Sequence, residues 1–225
     1  MLFLNGFDAT LESGFELIYE DGALLVFNKP SGLLSVPGRG EDKADCLRTR
    51  VQQVYPEALT VHRLDMSTSG ILLMARSAAL HRSMSMAFAD RAVKKRYIAV
   101  VDGHVAEDAG QDWRLIDLPV AKDWINRPLQ KIDLLEGKPS QTHLRVLAYD
   151  SGTDTTRVEL APITGRTHQL RLHMQAIGHS ILGDHLYASP EVYAKSARLL
   201  LHASSLELTH PVTHTSLSIQ AEVPF

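Results

Sequence analysis

The chain has 225 residues, 44% of them hydrophobic and 22% charged, which are ordinary proportions for a globular protein long enough to bury a real core. No run of about 18 apolar residues marks a membrane span, no secretory signal opens the chain, and the lone Cys46 cannot form an intrachain disulfide. A soluble, cytoplasmic protein is therefore expected. The net charge of -3 excludes a globally basic surface, but the charge is uneven: the first 25 residues hold five acids and no Lys or Arg, whereas residues 62–97 hold seven basic residues against Asp65 and Asp90.

Residues 1–14 read as a loose leader and residues 15–225 as one domain. From Phe15 to Lys29 two strands are joined at Glu20-Asp21-Gly22, because Asp-Gly between apolar runs favours a hairpin. Asn28-Lys29-Pro30-Ser31-Gly32 then turns the chain. Leu47, Val51, Val54 and Tyr55 recur at helical spacing until Pro56. Gly70 to Ala75 reads as a buried strand. Leu80, Met84 and Phe88 mark one face of a helix from about Ala78 to Asp90, with Met84 and Met86 as filler for the core. Tyr97 to Val101 is a strand, and Gly103 to Gly137, with Pro119, Pro128 and both tryptophans, reads as irregular. Alternation at Leu144, Val146 and Ala148, and again at Val158 and Leu160, predicts two half-buried strands. A helix is predicted between Gly165 and Gly178, with Leu170, Met174 and Ile177 on one face and Gly178 as its left-handed cap. Leu199 to Leu208 and Leu217 to Val223 read as closing strands. Many strands joined by short turns and few helices give an α+β fold, its central sheet mostly antiparallel or mixed and flanked by helices and loops.

The most informative segment is His62-Arg63-Leu64-Asp65-Met66-Ser67-Thr68-Ser69-Gly70. An arginine and a carboxylate two positions apart lie between the apolar runs Ala58–Val61 and Ile71–Met74, and a charged pair so flanked is costly unless paired or functional. Other common chemistries are missing from the sequence. There is no Gly-rich dinucleotide or phosphate loop, no Cys-x-x-Cys and no His-Glu-x-x-His, so neither a nucleotide cofactor nor a metal is expected. The eleven histidines are scattered, and His168 and His173, five apart, do not make a one-face metal pair. A serine hydrolase using Ser69, His62 and Asp65 is a weak alternative, since Ser69 lacks the leading glycine of a nucleophile elbow and neighbours in sequence rarely form such a triad.

Four segments, in order, resemble the motifs of the RluA-type pseudouridine synthases. They are Asn28–Pro37 (NKPSGLLSVP), the HRLDMSTSG segment at 62–70, Lys95-Arg96-Tyr97, and Gly165-Arg166-Thr167-His168-Gln169-Leu170-Arg171-Leu172-His173 followed by Gly183-Asp184. Shorter stretches (Ser35–Gly38, Asp117–Pro119, Asn126–Pro128, Gly137–Pro139 and Leu199–Ala203) resemble the dual-specificity branch of that family, which lacks an N-terminal S4 domain. The resemblance implies the pseudouridine synthase catalytic fold and a cofactor-free isomerase acting on uridine in large-subunit ribosomal RNA and in a tRNA anticodon stem-loop.

It further implies Asp65 as the catalytic carboxylate, acting as nucleophile or as base, with Arg166 paired to it and Tyr97 packed on the target ring. Arg63 would enter the space left by the flipped base, and His62, Lys95 and Arg171 would support RNA binding or site electrostatics. RNA is the expected partner, with no membrane or metal, and the chain is expected to be a monomer. Two alternatives stay open: a relative with a single, different RNA target, and a catalytically silent RNA-binding factor.

Overall fold

The computed structural model describes residues 15–38, 40, 43–106 and 112–225. The leader expected over 1–14 lies outside them. The hairpin β1 (Glu16–Glu20) and β2 (Leu24–Lys29) turns at Asp21, whose carboxylate accepts from the Ala23 and Leu24 backbone N–H groups. Helix α1 (Leu47–Val54) follows, capped by the Cys46 thiol, which accepts from Thr49 N–H. The short strand β3 (Leu59–Thr60) leads through the 61–68 loop to β4 (Ser69–Ala75), and α2 (Ala78–Ala89) starts on a Ser77 cap. Strand β5 (Lys94–Asp102) comes next. The region expected to be irregular contains β6 (Arg114–Asp117), β7 (Val120–Lys122) and β8 (Gln130–Ile132). These strands are three or four residues long, too short to show a period of two.

Strands β9 (Gln141–Asp150) and β10 (Thr155–Pro162), helices α3 (Gln169–Ala176) and α4 (Pro190–Ala194), and strands β11 (Leu201–Thr209) and β12 (Ser216–Gln220) complete the chain. Helix α3 begins four residues later than the expected Gly165, because His168 takes a left-handed backbone (φ 56°) just before it. Gly178 closes that segment at φ 90°, as expected of a left-handed cap.

Ten strands form one sheet in the order β1-β2-β4-β11-β5-β10-β9-β6, with β12 on β11 and β3 on β4, while β7 and β8 form a separate hairpin. Among the described strand pairs only β4 and β11 run parallel, through His202 opposite Ser69 and Ala203 opposite Gly70. The sheet is thus mixed but mainly antiparallel. Strands β2 and β4 are apolar at nearly every position because both their faces are covered. Leu24, Val26, Ile71 and Leu73 pack with Met84 of α2 on one side, and Leu25, Phe27, Leu72 and Met74 with Leu47 and Val51 of α1 on the other. Each such side chain contributes about 1.5–3 kcal/mol on burial. A third cluster joins β5, β9 and β10 to α3 through Val101, Leu144, Leu160, Leu170 and Met174.

The parallel pair sets one strict requirement. Gly70 sits at φ 111°, and a Cβ there would lie 2.3 Å from the Ala203 carbonyl oxygen. Only glycine lets β4 approach β11 this closely, and Gly70 ends the HRLDMSTSG segment. Gly70→Ala should therefore cost at least about 2 kcal/mol in urea denaturation. Gly22→Ala, where a Cβ meets nothing within 4 Å, should cost less than about 1 kcal/mol.

Candidate active site

Asp65 sits in the loop before β4, and two groups of residues hold that loop. From one side the segment after β2 clamps its backbone. The Gly32 N–H donates to Met66 O at 2.8 Å, Ser31 Oγ to Ser67 O at 2.7 Å and Ser35 Oγ to Leu64 O at 2.7 Å. Lys29, fully buried, donates from Nζ to the carbonyls of Pro30, Leu33 and Met66 at 2.9, 2.7 and 3.1 Å. Burial pushes its pKa down to about 7, the Asp65 charge opposing and the Arg198 charge assisting. The Pro/Gly turn read from the sequence is therefore also the brace of the Asp65 loop.

From the other side comes Arg171, in the first turn of α3 and 2% exposed. Its Nε donates to Asp184 Oδ2 at 2.8 Å and its Nη2 to Asp184 Oδ1 at 2.5 Å, while Nη1 stands 3.7 Å from Asp65 Oδ2. Burial is the largest single influence and works against the charge on Arg171, but the hydrogen bonds and charge of Asp184, joined by the charge of Asp65, together outweigh it and hold the guanidinium pKa above its usual value. Asp184 also accepts from the N–H groups of Leu186 and Tyr187. One fixed cation is thus shared by a buried structural carboxylate and the half-buried Asp65.

His168 adds a second contact, its Nε2 4.0 Å from Asp65 Oδ1. Its Nδ1 lies 2.8 Å from the Tyr187 hydroxyl, which already accepts from the Gln130 N–H. The phenol proton is then free for Nδ1, and on this basis we assign the imidazole N–H to Nε2, facing Asp65. Burial lowers the His168 pKa, with Asp65 pulling the other way. The positive φ of this non-glycine residue is strain held at the site by the surrounding contacts.

Arg63, Asp65, Lys95, Tyr97, Arg166 and Arg171 line one cleft of about 110 Å³, which suits one planar ring. Lys95 and Tyr97 alternate on β5, so both present the same face. Burial raises the Tyr97 pKa, and the Asp65 charge raises it further, so the phenol stays protonated at neutral pH. Burial lowers the pKa of Lys95. Arg63 and Arg166 are exposed at the rim. A carboxylate held by an arginine beside a buried tyrosine, at a cleft with cations on its lip, suits chemistry at a ring taken from a polyanion.

A family model described as RNA pseudouridylate synthase matches residues 23–176. The chain belongs to the RNA pseudouridylate synthase family. It is 47% identical over 222 residues to the dual-specificity RNA pseudouridine synthase RluA of Escherichia coli K12, spanning 99% of both chains. It is 50% identical over 209 residues to the RluA of Yersinia pestis, spanning 93% of this chain and 99% of that one. The solved structure of human RNA pseudouridylate synthase domain containing 1 superposes with a TM-score of 0.77 at 29% identity, over 94% of this chain and 84% of the other. That of human RNA pseudouridylate synthase domain containing 4, at 22% identity and a TM-score of 0.73 over 93% and 88%, shares the fold. The chain is accordingly an isomerase of the pseudouridine synthase class, with RNA as its substrate. No helix among the described residues is long and apolar enough to cross a membrane.

Within this pseudouridine synthase cleft the structure corrects two expectations. The arginine at ion-pair distance from Asp65 is Arg171, not Arg166. Arg166 precedes the helix, in a loop that leaves its side chain exposed, whereas Arg171 lies inside α3 and is aimed inward by Asp184. His62 does not line the cleft. Its Nε2 accepts from the Leu73 N–H at 3.0 Å and its ring stacks on Phe88 at 4.7 Å, which makes it a structural histidine. The Ser69–His62–Asp65 triad, already set aside as weak on sequence grounds, is not formed, because Ser69 Oγ pairs with His202 Nδ1 at 2.9 Å and accepts from Arg198.

Asp184, His168 and Tyr187 were absent from the sequence-based site. His168 and Asp184 could have been found within the quoted motifs, since a polar residue beside a motif arginine is a candidate partner. Tyr187, 19 residues beyond His168, carried no signal.

Two measurements test this arrangement. Asp184→Ala leaves the buried Arg171 charge without its main partner and should lower stability in urea by about 3–5 kcal/mol. Burial, helped by the Lys95 charge, pushes the His62 pKa down to about 3, whereas an unfolded histidine titrates near 6.5. The unfolded chain therefore binds the proton more readily throughout that window, so stability is lost as pH falls from about 6.5 toward 3. His62→Gln keeps an acceptor for Leu73 without the titration, and its urea midpoint should fall less between pH 7 and pH 4 than that of the parent.

Proposed function

We propose that residues 15–225 act as one catalytic unit that converts uridine to pseudouridine in stem-loops of both large-subunit ribosomal RNA and tRNA. The observation that carries the reading is the Asp65 carboxylate lining a ring-sized cleft together with Tyr97, at ion-pair distance from Arg171. The two bacterial relatives, each a dual-specificity RNA pseudouridine synthase by name, support the pair of substrates.

In the reaction the C1′–N1 bond of uridine breaks, the uracil turns, and C1′ bonds to C5. The C5 proton leaves and N1 takes one up, so no oxidant or other reagent is consumed. Asp65 stands where it can attack a carbon of the nucleotide or remove a proton from it. Arg171 and His168 each face one oxygen of the carboxylate, at 3.7 and 4.0 Å, and so favour one orientation of it. Tyr97, still protonated, offers a ring face for packing and a hydroxyl for moving protons. Arg63, exposed at the rim, fits the place of a guanidinium that replaces the extracted base in the stack, and Arg166 fits a backbone phosphate contact.

The β7–β8 hairpin extends the same surface. Trp124 on its tip is 64% exposed, with Lys122 Nζ 5.1 Å and the Arg127 guanidinium carbon 4.2 Å from the ring centre. An exposed aromatic flanked by cations suits stacking on an unpaired base. The Gln130 N–H, donated to the Tyr187 hydroxyl, ties this hairpin to the His168 side of the cleft.

The test is tritium release from RNA labelled at uridine C5, on a transcribed tRNA anticodon stem-loop and on a ribosomal RNA fragment. The parent chain should release tritium from both, and Asp65→Asn should lose at least about 10³-fold in rate while still binding RNA. Product formation by the variant at the parental rate would overturn the role of Asp65. Release from one RNA alone would restrict the substrate to that RNA.

A further inference from the structure

The cleft at Asp65 is not the most spacious cavity. On the other side of the Asp65 loop lies a cavity of about 1000 Å³, and nothing in the mechanism above uses it. The loop is the partition between the two. Asp65 and Thr68 face the catalytic cleft, whereas Met66, Ser67 and Ser69 face the larger cavity. The turn is tight, Thr68 N–H donating to Asp65 O at 3.1 Å, so the five residues from Asp65 to Ser69 between them line both cavities.

The chemistry of the larger cavity is cationic and partly aromatic. Arg198, half-buried, donates Nη2 to Ser69 Oγ and Nε to the Leu199 carbonyl. Its guanidinium carbon stands 5.6 Å from the centre of the Phe225 ring, and among the described residues no Asp or Glu side chain forms an ion pair with it. Lys29 lies on the same wall, close enough for the Arg198 charge to help lower its pKa. The acid on the rim, Glu16, is engaged by the Asn28 side-chain amide at 2.8 Å. His202 lines the same wall, 1% exposed, with Nδ1 on Ser69 and a buried Nε2 that has no hydrogen-bond partner. Tyr193 and Met66, 49% and 46% exposed, supply flat and apolar surface at the mouth.

We propose that this cavity binds a second unstacked nucleotide of the substrate RNA, with its phosphate on Arg198 and its base against Tyr193, while the target uridine occupies the Asp65 cleft. A guanidinium without a counter-charge recognises phosphate, and an aromatic face accepts any base. The volume exceeds what one planar ring needs and matches a nucleotide-sized ligand. The shared partition favours a nucleotide of the same strand over a free one, because one five-residue segment of the loop separates the two cavities. The pocket then reads the loop of the RNA beyond the target base. The inference rests on the pseudouridine synthase reading of the Asp65 cleft.

The experiment is an abasic scan. Stem-loops carrying one abasic residue at each loop position beside the target uridine are assayed for tritium release with the parent, Arg198→Met and Tyr193→Ala. For the parent, one position should cost about tenfold in kcat/KM, the usual scale of one stacked base. Each variant should lose about tenfold on the intact stem-loop and show no further loss at that position. This non-additivity marks a direct partner and is not produced by a general loss of stability. Tyr193→Ala, on an exposed side chain, decides the matter if Arg198→Met fails to fold.

The proposal is overturned if no flanking position matters to the parent, or if the abasic penalty persists in full in a folded variant. It is also overturned if free UMP or AMP binds saturably in calorimetry, is lost in Arg198→Met, and the abasic profile is unchanged, which would assign the pocket to a free nucleotide. Failure of the parent to release tritium from any intact stem-loop would instead remove the catalytic reading itself.

Discussion

The active cleft depends on one buried cation. Arg171 is almost wholly removed from water, a state that costs several kcal/mol unless the charge is answered. Asp184 answers it with two parallel hydrogen bonds, and the geometry of that fork leaves one edge of the guanidinium pointing at Asp65. The direction of the Asp65 side is thereby inherited from a pair that is itself fixed by α3, by the turn after it and by the backbone N–H groups of Leu186 and Tyr187. The turn cannot relax, because Gly183 lies at φ 71° with the Arg198 carbonyl where a Cβ would stand. Asp184 is therefore delivered to Arg171 by a backbone conformation that only glycine permits.

The opposite brace works by different physics. Lys29 is a point charge with three donors, and all three meet carbonyl oxygens. It carries little directional information toward Asp65, but it joins the turn after β2 to the loop before β4, which are far apart in sequence. Gly70 then brings β4 against β11 in the one parallel pairing described, and β11 pairs on its other side with β5, which carries Lys95 and Tyr97. The close approach at Gly70 thus sets how far Tyr97 stands from Asp65. Loop, strand and helix each bring one functional group, and the sheet order β4-β11-β5 gathers them.

Much of this was legible in the sequence where the signal was local. Apolar runs over Leu24–Phe27 and Ile71–Met74 marked buried strands, and the helical spacing of Leu80, Met84 and Phe88 marked α2, because periodicity is set by packing on adjacent elements. The motif segments led to six residues that line the cleft, Arg63, Asp65, Lys95, Tyr97, Arg166 and Arg171. Other features were hidden because they depend on contacts between distant segments. Whether Arg166 or Arg171 reaches Asp65 is decided by where α3 starts, and the left-handed His168 shortens that helix in a way no propensity shows. His62 stood inside the most specific motif and still proved structural, since its acceptor role for Leu73 needs β3 and β4 in place. The short strands β6, β7 and β8 were lost among prolines and tryptophans for want of length.

The electrostatics of the cleft follow from this placement. Arg171, Lys95 and Lys29, with Arg63 and Arg166 at the rim, outnumber Asp65 and the buried Asp184 around a phenol that stays neutral, so the local balance is positive even though the chain as a whole is acidic. Two of these cations are too buried to meet phosphate themselves. Their field nonetheless reaches the mouth, where the exposed Arg63 and Arg166 can make contacts. Fixed buried charge attracts the strand, and mobile surface charge holds it. The fixed set also keeps the carboxylate oriented whether or not RNA is bound, so orientation of Asp65 need not be bought again at each turnover. A protein with a net charge of -3 can thus act on a polyanion without a basic surface, provided its positive charge is gathered where the base must enter.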